Sequence, residues 1–294
     1  MIKYFSFLLC CLFGFMMIAG CSSESAVKLK RAQEHFDNSE YISVIRILET
    51  INPVKRGSRV NLLLGKAYAV QFEFEKADHV LKSAFEQFPS TKDSLIAAYL
   101  TMAKRFEKRK RVDLAIKAYL SLLGIESEYN IGNGFYVLGH HYYESNDLAR
   151  AMQFFEKGIE TISDPRILRK TKIELIDIYE LVGKLKEAIE ISANDPSTDI
   201  IFRRGKLSFQ YAKSLFSAKE FDSALAYCES VIIINAPQTI IDDTYFLMGE
   251  IHASNNDYKN AIRCYKEVMK FDKFENNKLA AIAKKKIAVL TRFE

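Results

Sequence analysis

Cysteine is scarce in this chain, at five in 294 residues, and three of the five crowd the N-terminus as Cys10, Cys11 and Cys21. That leaves Cys228 and Cys264 for the body of the protein. They pack there as small hydrophobes or, in an oxidising compartment, bridge to each other. An excess of one charge is missing too. The 42 Lys and Arg against 37 Asp and Glu give a net charge of +5, too mild for a nucleic-acid footprint. Catalytic signatures are absent: no HExxH, no glycine loop ending in Gly-Lys-Ser/Thr, no Gly-x-Ser-x-Gly elbow. Of five histidines, His35, His79 and His252 stand alone. His140 and His141 are adjacent, so on a helix they point about 100° apart and cannot make the i, i+4 pair of a metal site. Gly132, Gly134 and Gly139 do not form a dinucleotide loop, since Val137 holds the place of the third glycine and no strand pattern precedes it. The chain therefore reads as a non-enzyme with no metal and no cofactor.

What is present is a period. Ala77, Ala115, Ala151, Ala188, Ala224 and Ala261 recur every 36 to 38 residues. Twelve positions before them stand the small residues Gly65, Ala103, Gly139, Ala212 and Gly249, and three before them Phe74, Val112, Leu148, Leu185, Phe221 and Tyr258. Such a period marks a solenoid, whose units bury their apolar faces only by stacking on neighbours. In residues 58–91, Leu62, Gly65 and Tyr68 form one helical run and Leu81 and Ala84 another, with a polar break at Glu73 and a stop at Pro89. Gly65 and Ala77 mark the close approach of the two helices.

The set Gly65, Tyr68, Phe74, Ala77, Leu81, Ala84 and Pro89 resembles the tetratricopeptide repeat (TPR). The resemblance implies an all-α fold, a right-handed superhelical solenoid of about seven helix pairs near 25–58, 58–91, 96–129, 132–165, 169–198, 205–238 and 242–275. The fifth pair loses its later packing positions to Ser192 and Asp195, which predicts a short second helix. Leu279, Ile282, Ala283, Ile287 and Leu290 form an apolar stripe, so residues 276–294 read as a capping helix and C-terminus.

The N-terminus reads as a processing signal, residues 1–20. Lys3 precedes an apolar stretch over 5–18, and Ile18-Ala19-Gly20-Cys21 resembles the lipobox of bacterial lipoprotein precursors. That resemblance implies a covalent lipid on Cys21, a short tether over 21–25 and a membrane anchor, with no other prosthetic group. Ser22 in place of aspartate is similar to lipoproteins sent to the outer membrane, facing the periplasm. An uncleaved spanning helix is the alternative reading of the stretch.

In the repeat family the first helix of each pair lines a concave groove that takes protein or peptide segments. Carried onto this sequence, that implies a partner-binding groove with Lys66 and Lys104, then Tyr136, His140 and Tyr143 at i, i+4, i+7, then Phe209, Lys213 and Phe216, and then Phe246. The carboxylate clamp of chaperone-binding members is not supplied, since Leu62 with Lys66, Leu100 with Lys104 and Tyr136 with His140 lack its asparagines. The basic run Lys104, Arg105, Lys108, Arg109, Lys110, Arg111 is read as a solvated edge, or as a contact for acidic headgroups or an acidic partner. The joints at Phe88-Pro89-Ser90 and Ala236-Pro237, with Tyr245, Gly249, Tyr258, Ala261 and Tyr265, resemble TPR lipoproteins of the BamD and YbgF type. That implies envelope partners and a role in outer-membrane protein assembly, or in recruiting peptidoglycan enzymes as NlpI-like adaptors do.

Overall fold

A computed structural model describes residues 24–271 and 277–292. Among them there are helices and 3-10 turns and no strand. Helix α1 covers 24–37 and is followed by α2 (Tyr41–Glu49). The next pairs are α3 (Ser58–Val70) with α4 (Phe74–Gln87), and α5 (Lys92–Lys108) with α6 (Val112–Ile125). After them come α7 (Gly134–Glu144) and α8 (Leu148–Thr161), α9 (Pro165–Leu181) and α10 (Leu185–Ser192), and α11 (Thr198–Ser217) and α12 (Phe221–Ile234). The chain ends with α13 (Ile241–Ser254) and α14 (Tyr258–Met269), then the single helix α15 (Lys278–Leu290). The all-α fold of paired helices is thus as expected. No described helix is long and apolar enough to cross a membrane. Cys21 and the rest of the signal lie outside the described residues.

The contacts gather into two compact units, one ending at His141 and the other beginning at Tyr142. In the first, α3 packs on α4 and α5 on α6 around Leu64, Leu81, Tyr99, Phe106, Tyr119 and Leu122, all buried. In the second, one cluster joins Ala212, Ala224, Cys228, Ile251 and Cys264, and another joins Ala261, Tyr265, Val268 and Ala283. All six alanines of the period have no exposed surface. The glycines explain themselves by distance: a Cβ on Gly65 would lie 2.6 Å from Leu81 Cγ, and one on Gly249 2.5 Å from Tyr265 Cε1. Only a residue without a side chain lets those helices close.

Every pair turns by the same device. Ser39, Phe72, Lys110, Asn146, Gly183, Lys219 and Asn256 all have φ between 58° and 77°. In each case the following amide donates to the carbonyl five residues back, as Glu73 N to Tyr68 O at 3.0 Å and Asp257 N to His252 O at 2.8 Å. The left-handed residue itself donates three back, as Phe72 N to Ala69 O. This double bond pattern caps the first helix with its own orphan carbonyls satisfied, and it fixes the angle at which the second helix leaves.

One sequence expectation is corrected in detail. Ile282 is not in the capping stripe: it is 45 % exposed, and Ala280 takes its place beside Ala283, which matches the helical period better. The fifth pair does have a short second helix of eight residues, and buried Ser192 closes it by donating to Ile189 O.

Candidate binding surface

The proposed groove residues all sit on first helices, and the structure gives each its surroundings. In the first unit Lys66 on α3 and Lys104 on α5 are exposed. Tyr136 and His140, one turn apart on α7, stack with ring centroids 5.4 Å apart and planes at 16°, each half-buried. A stacked pair at the surface is a flat, rigid platform with little entropy left to lose on binding.

In the second unit Tyr143 is half-buried, and burial, with the nearby Asp177 and Glu174 carboxylates, raises its hydroxyl pKa. Phe209 lies under the Lys213 ammonium, 5.7 Å from ring centre to nitrogen. Both Phe209 and Phe216 rest partly buried on the core, and Phe216 meets Phe221 at 6.0 Å. They serve packing and surface at once. Phe246 packs at 5.5 Å on Tyr265, and Lys286 of α15 lies 5.9 Å above its ring, so the last helix partly covers it. Lys213 also stabilises the Asp243 carboxylate, whose pKa burial and neighbouring Asp242 push up.

Carboxylates elsewhere hold the frame. Tyr99 and Ser121 donate to Asp78 Oδ1 at 2.7 and 2.8 Å, and Lys82 reaches its other oxygen at 2.7 Å. Tyr119 donates to Glu107, Tyr265 to Glu250, and Tyr179 to Glu156 at 2.8 Å. Buried phenols bonded to carboxylates are held neutral, since burial first and the adjacent negative charge second raise their pKa.

Among the described residues no cluster of three His, Cys, Asp or Glu could hold a metal. Cys228 and Cys264 are buried and free. Burial pushes the Cys228 thiol up to about 12 and that of Cys264 up to about 11, which makes both poor nucleophiles. In the basic run Arg105 is half-buried beside Tyr41 and Arg111 bonds Asp113, while Lys108, Arg109 and Lys110 are exposed at the turn.

Between α1 and α3 lies a groove whose α3 side carries Lys66, which the sequence reading places in the partner-binding groove, and whose α1 side that reading had not assigned. Ala26, Leu29, Lys30 and Gln33 form one side and Arg59, Leu62, Leu63 and Lys66 the other, around a volume of 540 Å³. Ala26, Leu29, Lys30 and Gln33 share one helical face.

No curated protein matches the sequence. Among solved structures, a tetratricopeptide repeat protein from Parabacteroides merdae is 17 % identical, with 92 % of this chain and 99 % of that one covered and a TM-score of 0.36. The C-terminal part of a TPR repeat-containing protein from Cytophaga hutchinsonii is 18 % identical over 87 % and 98 %, with a TM-score of 0.37. The TPR2AB domain of yeast Sti1, solved in complex with pHSP90, is 13 % identical over 92 % and 99 %, with a TM-score of 0.43. None of the three is near enough to lend this chain a partner. The tetratricopeptide repeat profile matches residues 133–164 and 242–274, the stretches that hold α7 with α8 and α13 with α14, so these two helix pairs are tetratricopeptide repeats.

Proposed function

We propose that this chain is an interaction scaffold of the bacterial envelope, held to the membrane by lipid on Cys21, with a part in outer-membrane protein assembly similar to that of BamD proteins. The observation that carries the scaffold reading is the state of the first helices. Tyr136 with His140 in one unit, and Tyr143, Phe209 and Phe216 in the other, remain half-exposed aromatic surface on rigid elements. Such residues give a partner large contact area for little ordering cost. The envelope reading is supported by the Ile18-Ala19-Gly20-Cys21 motif and by Ser22 after it.

Two experiments separate these claims. A photo-crosslinking amino acid placed at Tyr136 or Phe209 in living cells should capture a defined envelope protein, identified by mass spectrometry, while the same group at exposed Glu86 or Lys259 should not. Equal capture from all four positions would remove the groove from the account. Cys21→Ala should abolish acyl labelling and leave unprocessed precursor; labelling that persists would make the anchor reading wrong without touching the scaffold.

A further inference from the structure

Both units hold paired and unpaired cations on their first helices, as Lys92 with Glu126 at 2.6 Å in the first. In the second, Arg169 bonds Asp199, Arg203 bonds Asp177, Lys172 lies 3.6 Å from Asp195 and Lys286 of α15 lies 2.5 Å from Glu250, while Lys206 and Lys213 on α11 are exposed and in no ion pair among the described residues. In the first, Lys30, Arg59 and Lys66 surround the α1–α3 groove, all exposed, and none of them forms an ion pair among the described residues. Lys104, on the next first helix, is exposed in the same way.

The carboxylates near this face do not answer those charges. Asp37 accepts from Gln33 at 2.8 Å, and Glu107 accepts from Tyr119. Glu34 is exposed one turn after Lys30 without bonding it, and Asp93 is exposed at the start of α5. Like charges brought together around a concave, low-dielectric surface focus a positive potential into it. The groove floor is apolar, with Leu29 and Leu62 half-buried and Leu63 buried.

We propose that the α1–α3 groove binds an acidic protein segment, its carboxylates set against Lys30, Arg59 and Lys66 and its apolar side chains on Leu29 and Leu62. This rests on the scaffold reading and narrows it to a partner chemistry. A bilayer surface fits less well, because a broad plane of headgroups meets the rim of a groove and leaves its leucine floor uncovered. A lone terminal carboxylate is not required, since the cations are spread over two helices and the asparagines of a carboxylate clamp are missing from Leu62 and Leu100.

The test is fluorescence anisotropy of the full chain with a labelled helical peptide of Glu and Leu, acetylated and amidated so that no terminal charge remains. Its counterpart has Lys in place of Glu. The acidic peptide should bind, the basic one should not, and affinity should fall with added salt. Lys30→Gln with Arg59→Gln and Lys66→Gln should weaken binding about tenfold or more. Lys108→Gln with Arg109→Gln and Lys110→Gln should leave it near the parent value. The proposal is overturned if both peptides bind alike or neither binds, or if the turn variant loses as much as the groove variant. It is overturned equally if phosphatidylglycerol vesicles, but not phosphatidylcholine vesicles, displace the peptide and lose their own binding in the groove variant. Crosslinks from Tyr136 and Phe209 that survive such an outcome would leave the scaffold reading standing.

Discussion

Gly205→Ala should be among the most damaging single-methyl changes in this protein. A Cβ at Gly205 on α11 would lie 1.7 Å from the carbonyl oxygen of Ala236 and 2.9 Å from its carbon. That neighbour is backbone in the link between α12 and α13, so no rotamer can relieve the clash, and the oxygen must retreat by more than an ångström. Overpacking of this kind costs about 1–3 kcal/mol or more, against a helix-propensity gain of about 1 kcal/mol for replacing glycine by alanine. At the upper end of that range, which a clash with backbone selects, the net loss of about 2 kcal/mol lowers the thermal midpoint by about 4–8 °C for a unit of this size. Gly124→Ala near the end of α6 is the control of opposite sign, since a Cβ there meets nothing within 4 Å. It should raise the midpoint slightly. Thermal melts followed by circular dichroism at 222 nm, the helix band, compare the two. A Gly205→Ala protein as stable as the parent would refute the claim that α11 and the α12–α13 link are in contact at this residue.

The repeated left-handed turn predicts that Lys219→Gly, at φ 65°, raises stability by about 0.5–1 kcal/mol in urea denaturation; a loss would mean that the side chain contributes more than its backbone strain. Tyr99 predicts a pH effect: burial and its bond to Asp78 raise its pKa above the unfolded value, so its stabilisation is complete below about pH 10 and is lost as pH rises beyond that. Between about pH 10 and about pH 11 the parent's unfolding free energy from urea denaturation should therefore fall more steeply than that of Tyr99→Phe, by up to about 1.4 kcal/mol per pH unit. Parallel curves would show that the Tyr99 phenol ionises as it does in water.

The sequence announced the fold through residues that tolerate no alternative. Ala77 through Ala261 and Gly65 and Gly249 sit where two helices touch, so size alone selects them and the period is visible. The turns were silent for the opposite reason. Only Gly183, Asn146 and Asn256 are residue types that favour positive φ, while Ser39, Phe72, Lys110 and Lys219 adopt it because the flanking hydrogen bonds require it. Ile282 misled because hydrophobicity on a terminal helix does not say which face has a neighbour. Ala280 does the packing with a smaller signal.

The binding surface was half legible. Spacing placed Tyr136 with His140 and Phe209 with Lys213 on common helix faces, and the structure shows both pairs in contact. What spacing could not show is how far Phe216 and Phe246 are occupied by Phe221, Tyr265 and Lys286, since those contacts come from other helices. The α1 side of the α1–α3 groove escaped, because the approach of Leu29 and Lys30 to the α3 residues Arg59, Leu62 and Lys66 is encoded in no single-helix pattern.

Lysine footprinting with and without the partner captured from Tyr136 or Phe209 tests the central claim most directly. Brief acetylation read by mass spectrometry should show Lys66, Lys104 and Lys213, all exposed on first helices, protected in the complex, with Lys82 on α4 and Lys259 on α14 modified as before. Protection confined to Lys82 and Lys259, with Lys66, Lys104 and Lys213 unchanged, would place the partner on the second helices and contradict a scaffold that binds through its first.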